Sequence, residues 1–317
     1  MKLKDEKIMI SNGRTRWIYI REILNLECSA GTQDFGRGVK LIPLSNNIAK
    51  LIDDTIPRLH GRWFDKQYWI IHCEHLSETD PAKGLRVLPV IMLIIISPYL
   101  KFGPSCFIKI ENGNIEVCSV EFDQLHTIMA HITPNDFVNI DNIKAKEIGE
   151  TFQKLAANLF SNILEIPRDR FVRACMDKKY DDSIIDISIS LESLYGGNKD
   201  NIPRYGASFI GKDAKEREIN YANLATLLWA RNKVIHEGVA FPNITLEDGR
   251  KLDTKQIRHM GFEHCAKALR KMIENPFWQG MTKRDVLHYF KSLARPLRNE
   301  MGIYKHTYQS VTKRRNP

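Results

Sequence analysis

The sequence predicts an α+β N-terminal domain over residues 1–140, an all-α helical bundle over residues 141–277 and a basic extension over residues 278–317. Three observations carry that division. A chain of 317 residues exceeds the size at which single cores usually stop growing. Strand and hairpin patterns are concentrated before residue 140. From Asp141 onward apolar residues recur at helical spacing, just after a turn signal at Pro134-Asn135-Asp136.

In the first domain, Gln67-Tyr68-Trp69-Ile70-Ile71-His72 combines aromatic and β-branched side chains that fit a pleated, half-buried surface, so it reads as a strand. Cys106–Ile110 and Ile115–Val120 flank Asn112-Gly113, a dipeptide suited to the positive φ angles of a tight hairpin turn. A hairpin centred there sets Cys118 opposite Phe107 and leaves Cys106 on the other face. The apolar run from Val87 to Leu100 supplies the layer these strands need, and periodicity leaves open whether it is helix or strand. It is too short for a bilayer and is interrupted by Pro89 and Pro98.

In the bundle, Ile184, Ile187, Leu191 and Leu194 form one apolar helix face that stops at Gly196-Gly197. Tyr221, Leu224, Leu228 and Ile235 predict a second helix, ended by Gly238 and Pro242. In the extension, residues 278–317, nine Lys or Arg face only Asp285 and Glu300, so much of the formal charge of +9 sits there. That density offers an electrostatic grip on phosphates, or a solvated and frayed end.

The six cysteines include no Cys-x-x-Cys pair, which argues against a zinc ribbon or a disulfide scaffold and for a reduced, cytoplasmic protein. The start, Met1-Lys2-Leu3-Lys4-Asp5-Glu6-Lys7, leads into no uninterrupted apolar stretch of the secretory type, and no membrane role is expected. His72-Cys73-Glu74-His75 carries ligand types, but a strand turns its two histidines to opposite faces, so no metal is expected. His259, Glu263 and His264 lack the His-Glu-x-x-His order and read as helix-surface polar groups. No Gly-rich phosphate loop occurs either, and no cofactor is expected.

The second predicted helix carries the chemistry. Arg231 fills the slot between Leu228 and Ile235 where the stripe asks for an aliphatic side chain, and Asn232 and His236 stand one turn apart beside it. Those types suit RNA cleavage without a metal. The ribose 2′-OH is the nucleophile that DNA lacks, and imidazole is the side chain best matched to moving its proton near neutrality. A guanidinium offers a fork of donors to a phosphate as its negative charge grows, and Asn232 can orient either partner. Arg231 can equally form a structural bridge to Glu192, which continues the secondary stripe Ile185, Ile189 of the other helix. A histidine near a helix end is also commonly a surface residue.

Arg231-Asn232-x-x-x-His236 resembles the Arg-polar-x3-His motif of the HEPN superfamily. Around it, Trp229–Gly238 resembles the "R-x-K-I-V-H-G" segment of Apea-like HEPN domains, and Asp182–Leu194 resembles their helix ending in "I-x-L-E-x-L". Arg168-Asp169-Arg170-Phe171 and Arg204 match more loosely, and Glu237 departs from the pattern by separating His236 from Gly238. The resemblance covers about residues 150–275. It implies a HEPN-type bundle of four or five helices that forms a homodimer, with the Arg-x4-His segments of both copies in one composite site.

The activity so implied is a metal-independent endoribonuclease that leaves a 2′,3′-cyclic phosphate or 3′-phosphate and a 5′-hydroxyl. Its setting would be a prokaryotic antiviral-defence or toxin system acting on tRNA or other cellular RNA. Arg231, Asn232 and His236 would be catalytic, Glu192 would support Arg231, and Lys233 and Arg204 would touch RNA. By analogy alone, the N-terminal domain would be a sensor or brake, with a phage-derived trigger or regulatory partner. Two rival readings are a non-catalytic HEPN module that binds RNA or protein, and a DNA-binding regulator resting on the basic extension.

Overall fold

The computed structural model describes residues 16–55, 69–74, 81–111, 114–121, 136–157, 162–177, 179–196, 201–237, 244–245, 251–278 and 280–295. The chain divides into two compact units, residues 1–157 and 158–317. A β-rich unit precedes a mostly helical one. The turn residues Asn112-Gly113 and Pro134-Asn135, the helix stops Gly197, Gly238 and Pro242, His75 and residues 296–317 lie outside the described residues.

In the first unit, the strands β1 (Arg16–Ile23), β2 (Leu26–Cys28), β3 (Gln33–Asp34), β4 (Val39–Pro43), β5 (Trp69–Glu74), β6 (Phe102–Glu111), β7 (Asn114–Glu121) and β8 (Val138–Ile140) alternate with α1 (Asn46–Thr55) and α2 (Pro81–Ile95). Six strands form one antiparallel sheet in the order β3-β4-β5-β1-β6-β7, and β2 pairs with β8 in parallel. The expected strand is β5 from Trp69 onward, Gln67 and Tyr68 lying outside the described residues, and the expected hairpin is β6–β7. Ile18, Ile20, Ile70, Cys106, Ile108 and Ile110 form a core against which Ile48 and Ala49 of α1 pack. Leu41, Trp69 and Ile71 are buried as well, and α2 packs on β5 and β1, so strand alternation shows apolar burial on both sheet faces.

The apolar run resolves as helix. Val87, Leu88, Val90, Ile91, Met92, Leu93 and Ile94 are all buried in α2 despite Pro89, because sheet strands and a third helix, α3 (Asn142–Ala157), take up its apolar surface. α3 belongs to this first unit, so the division falls later than residue 140. The hairpin register corrects one pairing. A bulge between Phe107 and Ile108 puts Ser119 opposite Phe107 and leaves Cys118 as the extra, exposed residue. Two strand residues then face one across the ladder, which the turn signal cannot announce.

The second unit comprises α4 (Asn162–Met176), α5 (Tyr180–Tyr195), α6 (Ile202–Ile210), α7 (Ala214–Glu237), α8 (Thr254–Glu274) and α9 (Lys283–Leu293). A two-stranded ladder, β9 (Ile244–Thr245) with β10 (Lys251–Leu252), interrupts the expected all-helical order. α5 is central and packs against α4, α7 and α8. Its predicted stripe Ile184, Ile187, Leu191 and Leu194 is buried, and Gly196, at φ 61°, closes the helix in the left-handed region open to glycine. Its buried polar residues are satisfied: the Ser183 and Ser190 hydroxyls donate to the Ala174 and Pro167 carbonyls, and Asp186 accepts from Arg170 at 2.7 Å and pairs with Arg173 at 3.0 Å.

Gly206 lets α6 approach its neighbours closely. A Cβ there would stand 2.3 Å from Leu224 Cδ1 and 2.8 Å from His264 Nε2, both on buried side chains. Gly206→Ala is therefore expected to destabilise the second unit by roughly 1–3 kcal/mol through overpacking, against the small gain alanine brings to a helix. Chemical denaturation checks this, and a midpoint at or above wild type would contradict it.

Candidate active site on helices α5 and α7

The buried positions of α7 run Leu224, Ala225, Leu227, Leu228 and Ala230, then stop. Ile235 is 44 % exposed, so it does not continue the predicted stripe to the helix end. The last turn and a half, from Arg231 to His236, is left partly or fully accessible by its own unit. Tyr221 is likewise half-buried. Helical spacing identifies a face, but only the neighbouring helices decide how far along it burial extends.

Arg231 sits where that burial ends. Its Nη2 lies 3.5 Å from Glu192 Oε1 of α5, and its Nη1 donates to Asn232 Oδ1 at 3.1 Å. Its Nε is buried without a hydrogen-bond partner among the described residues. The bridge foreseen from Glu192's place on the secondary stripe is thus present, and it holds one edge of the guanidinium. Lys233, on the same turn, lies with its ammonium 5.7 Å from the centre of the Trp229 ring.

His236 is exposed in the last turn of α7, one turn from Asn232, with no hydrogen bond or ion pair to the described residues. The structure thus joins Glu192, Arg231 and Asn232 by contacts and leaves His236 beside them with its ring open to solvent. Arg204 is not part of this group: its guanidinium is held by Asn201 at the start of α6. In the upstream stretch, Arg170 is taken up by Asp186, Arg168 by Asp169 at 2.6 Å, and Phe171 packs edge-on against Phe262.

The other polar groups of α8 are redistributed. His259 and Glu263 form an exposed pair at 3.6 Å, as a helix surface would. His264 does not belong to that surface: it is 4 % exposed, with Nε2 sharing a 3.1 Å hydrogen bond with the Tyr195 hydroxyl. Burial, reinforced by Lys267, lowers its pKa to about 3 and keeps the ring neutral. Beside it Cys265 is pushed up to about 12 by burial, so it is an inert thiol rather than a nucleophile. Asp177, after α4, is raised to about 6, first by burial and then by Asp186 and Asp182.

Among the described residues no group of three or more His, Cys, Asp and Glu is arranged to hold a metal ion. Nor is any helix among them long and apolar enough to cross a membrane. The start of the basic extension, read from the sequence as a density of charge, folds as a helix. Thr282 and Asp285 cap α9 reciprocally, and Arg284, His288, Lys291 and the following Arg295 are all exposed. The spacing of four and three from Arg284 to Lys291 was legible, but only a helix start at Thr282 shows that these three share a face. Comparison with protein-family models, curated proteins and solved structures finds no match to this chain.

Proposed function

We propose that the second unit is a metal-independent endoribonuclease of the HEPN type that cleaves RNA by attack of the ribose 2′-oxygen. The observation that carries the reading is the set Glu192–Arg231–Asn232 with exposed His236 one turn further on. Glu192 fixes one edge of the guanidinium, and the remaining donors of Arg231 are offered to the scissile phosphate. His236 moves the proton: a neutral imidazole takes it from the 2′-hydroxyl, or an imidazolium gives one to the departing 5′-oxygen. The products are a 2′,3′-cyclic phosphate and a 5′-hydroxyl.

One exposed histidine cannot be base and acid in the same step. The reading therefore includes a homodimer in which the accessible ends of two α7 helices meet and each contributes its His236. Exposed Ile235 beside His236 supports such a seam, since it offers apolar surface to a second copy. The biological setting that goes with this reading is a defence or toxin effector in the cytoplasm, acting on tRNA or other cellular RNA and governed by a trigger or partner.

The test is purified protein incubated with total RNA in EDTA, followed by end-group analysis. Cleavage that leaves cyclic phosphate and 5′-hydroxyl ends is expected. An RNA that is bound but uncut would place the unit instead among non-catalytic RNA-binding modules.

A further inference from the structure

One face of α9 is anchored and the opposite face is cationic. Val286 and Phe290 are buried, and Phe290 lies in an aromatic cluster with Tyr195, Tyr205, Phe209 and Trp278 at ring-centre separations of 5.0–6.0 Å. A helix held by such a cluster does not fray, so the residues on its outer side are presented in fixed order. Those residues are Arg284, His288 and Lys291, which at 100° per residue share one face, and exposed Arg295 follows just past the helix end. The single acid of this helix, Asp285, is engaged by the Thr282 hydroxyl and amide in the capping box. Arg284, His288 and Lys291 also line a depression of ≈ 400 Å³ with Asp285 and with Leu287, which stands beside Gly196 at the end of α5.

We propose that this face of α9 is a docking surface for the sugar-phosphate backbone of an RNA strand. The inference rests on the nuclease reading for its choice of RNA, and names a second place, apart from Arg231 and His236, where the substrate is held. Along the helix, Arg284 to Lys291 spans about 10 Å at the 1.5 Å rise per residue, long enough to meet more than one phosphate of a strand. Arg284 and Lys291 face solvent, and the one carboxylate beside them, Asp285, is tied back by the Thr282 hydroxyl and amide, which leaves the cations open to a phosphate. Downstream, Arg298, Lys305, Lys313, Arg314 and Arg315 continue the same sign of charge in the sequence.

The experiment uses the full chain and a short fluorescent oligoribonucleotide carrying 2′-O-methyl groups, which cannot be cut by 2′-oxygen attack. Binding is followed by anisotropy across a salt series for wild type and for Arg284→Gln, Lys291→Gln and Arg295→Gln combined. The triple variant is expected to bind about tenfold or more weakly and to lower the slope of log affinity against log salt by roughly 2, about 0.7 for each lost contact to a single strand. Arg284→Lys with Arg295→Lys keeps the charge and is expected to bind like wild type. Lys215→Gln with Lys255→Gln, on exposed positions of α7 and α8, serves as the control for net charge.

Equal loss in that control, or an unchanged affinity and slope in the triple variant, would overturn the proposal, as would a wild type that fails to bind. Because binding is read without cleavage, the α9 surface stands if wild type binds through it yet cuts no RNA. It falls if wild type cuts RNA but the triple variant binds unchanged.

Discussion

His236→Ala is expected to lower RNA cleavage by about 10²–10⁴, the usual worth of general acid–base help, while thermal unfolding stays where wild type has it. Both halves follow from its position. The ring is exposed and makes no hydrogen bond or ion pair among the described residues, so its removal takes none of these from them. An effect on rate without one on stability is what separates a catalytic histidine from a structural one. Arg231 is less clean to probe, because Arg231→Ala also strips Glu192 of its partner. Arg231→Lys is the better variant: it keeps the charge but loses the planar fork that serves Glu192 and a phosphate together. Initial rates on a defined RNA, with matched melting curves, check both, and a His236→Ala protein that cuts at wild-type rate would contradict the assignment.

The second large effect is loss of stability in acid through His264. In the folded chain this ring has a pKa of about 3, against an ordinary 6.5, so below 6.5 the unfolded chain binds a proton that the folded chain refuses. The stability contributed by the neutral ring is therefore complete above 6.5 and is lost as pH falls toward 3, at roughly 1.4 kcal/mol per unit. Asp177 works in the opposite sense. Its raised pKa of about 6 lets the folded chain keep a proton that the unfolded chain releases, so its contribution is present at low pH and disappears as pH rises through 6. Asp177 is partly exposed and His264 is buried, so the histidine dominates.

Urea unfolding at pH 7 and pH 4.5 isolates the histidine by comparison with His264→Gln, which keeps a hydrogen-bonding group near Tyr195 but does not titrate. The wild type is expected to lose roughly 2–3 kcal/mol more than the variant between those two values. Equal losses would mean that His264 is protonated in the folded state or already screened by solvent.

Features fixed by local rules were legible in the sequence. The stripe Ile184, Ile187, Leu191 and Leu194 and its glycine stop follow from helical periodicity and from one left-handed residue. The β6–β7 hairpin follows from a turn dipeptide between β-branched runs. The Arg231–Glu192 pair was foreseeable because each charge sits in an apolar stripe of its own helix.

What was not legible depends on neighbours distant in sequence. The run over Val87 to Ile94 is apolar on every side, so its pattern cannot choose between helix and strand until the sheet and α3 enclose it. The bulge at Cys118 is a one-residue irregularity with no local signal. His264 reads as a surface residue because its burial depends on Tyr195 and on the missing side chain at Gly206, both brought to it by tertiary packing. For the same reason the Leu228-to-Ile235 step predicts a buried end for α7, whereas the unit leaves that end open.

In the proposed reaction Arg231 and His236 direct a ribose 2′-oxygen against its own phosphodiester. The most direct measurement compares one RNA with the same strand carrying a single 2′-deoxy sugar at the mapped cut site, both incubated with wild-type protein in EDTA. Cleavage of the RNA to cyclic-phosphate and 5′-hydroxyl ends is expected, with an intact bond at the deoxy position. Cleavage of both strands at the same bond, or an absolute need for a divalent ion, would contradict it.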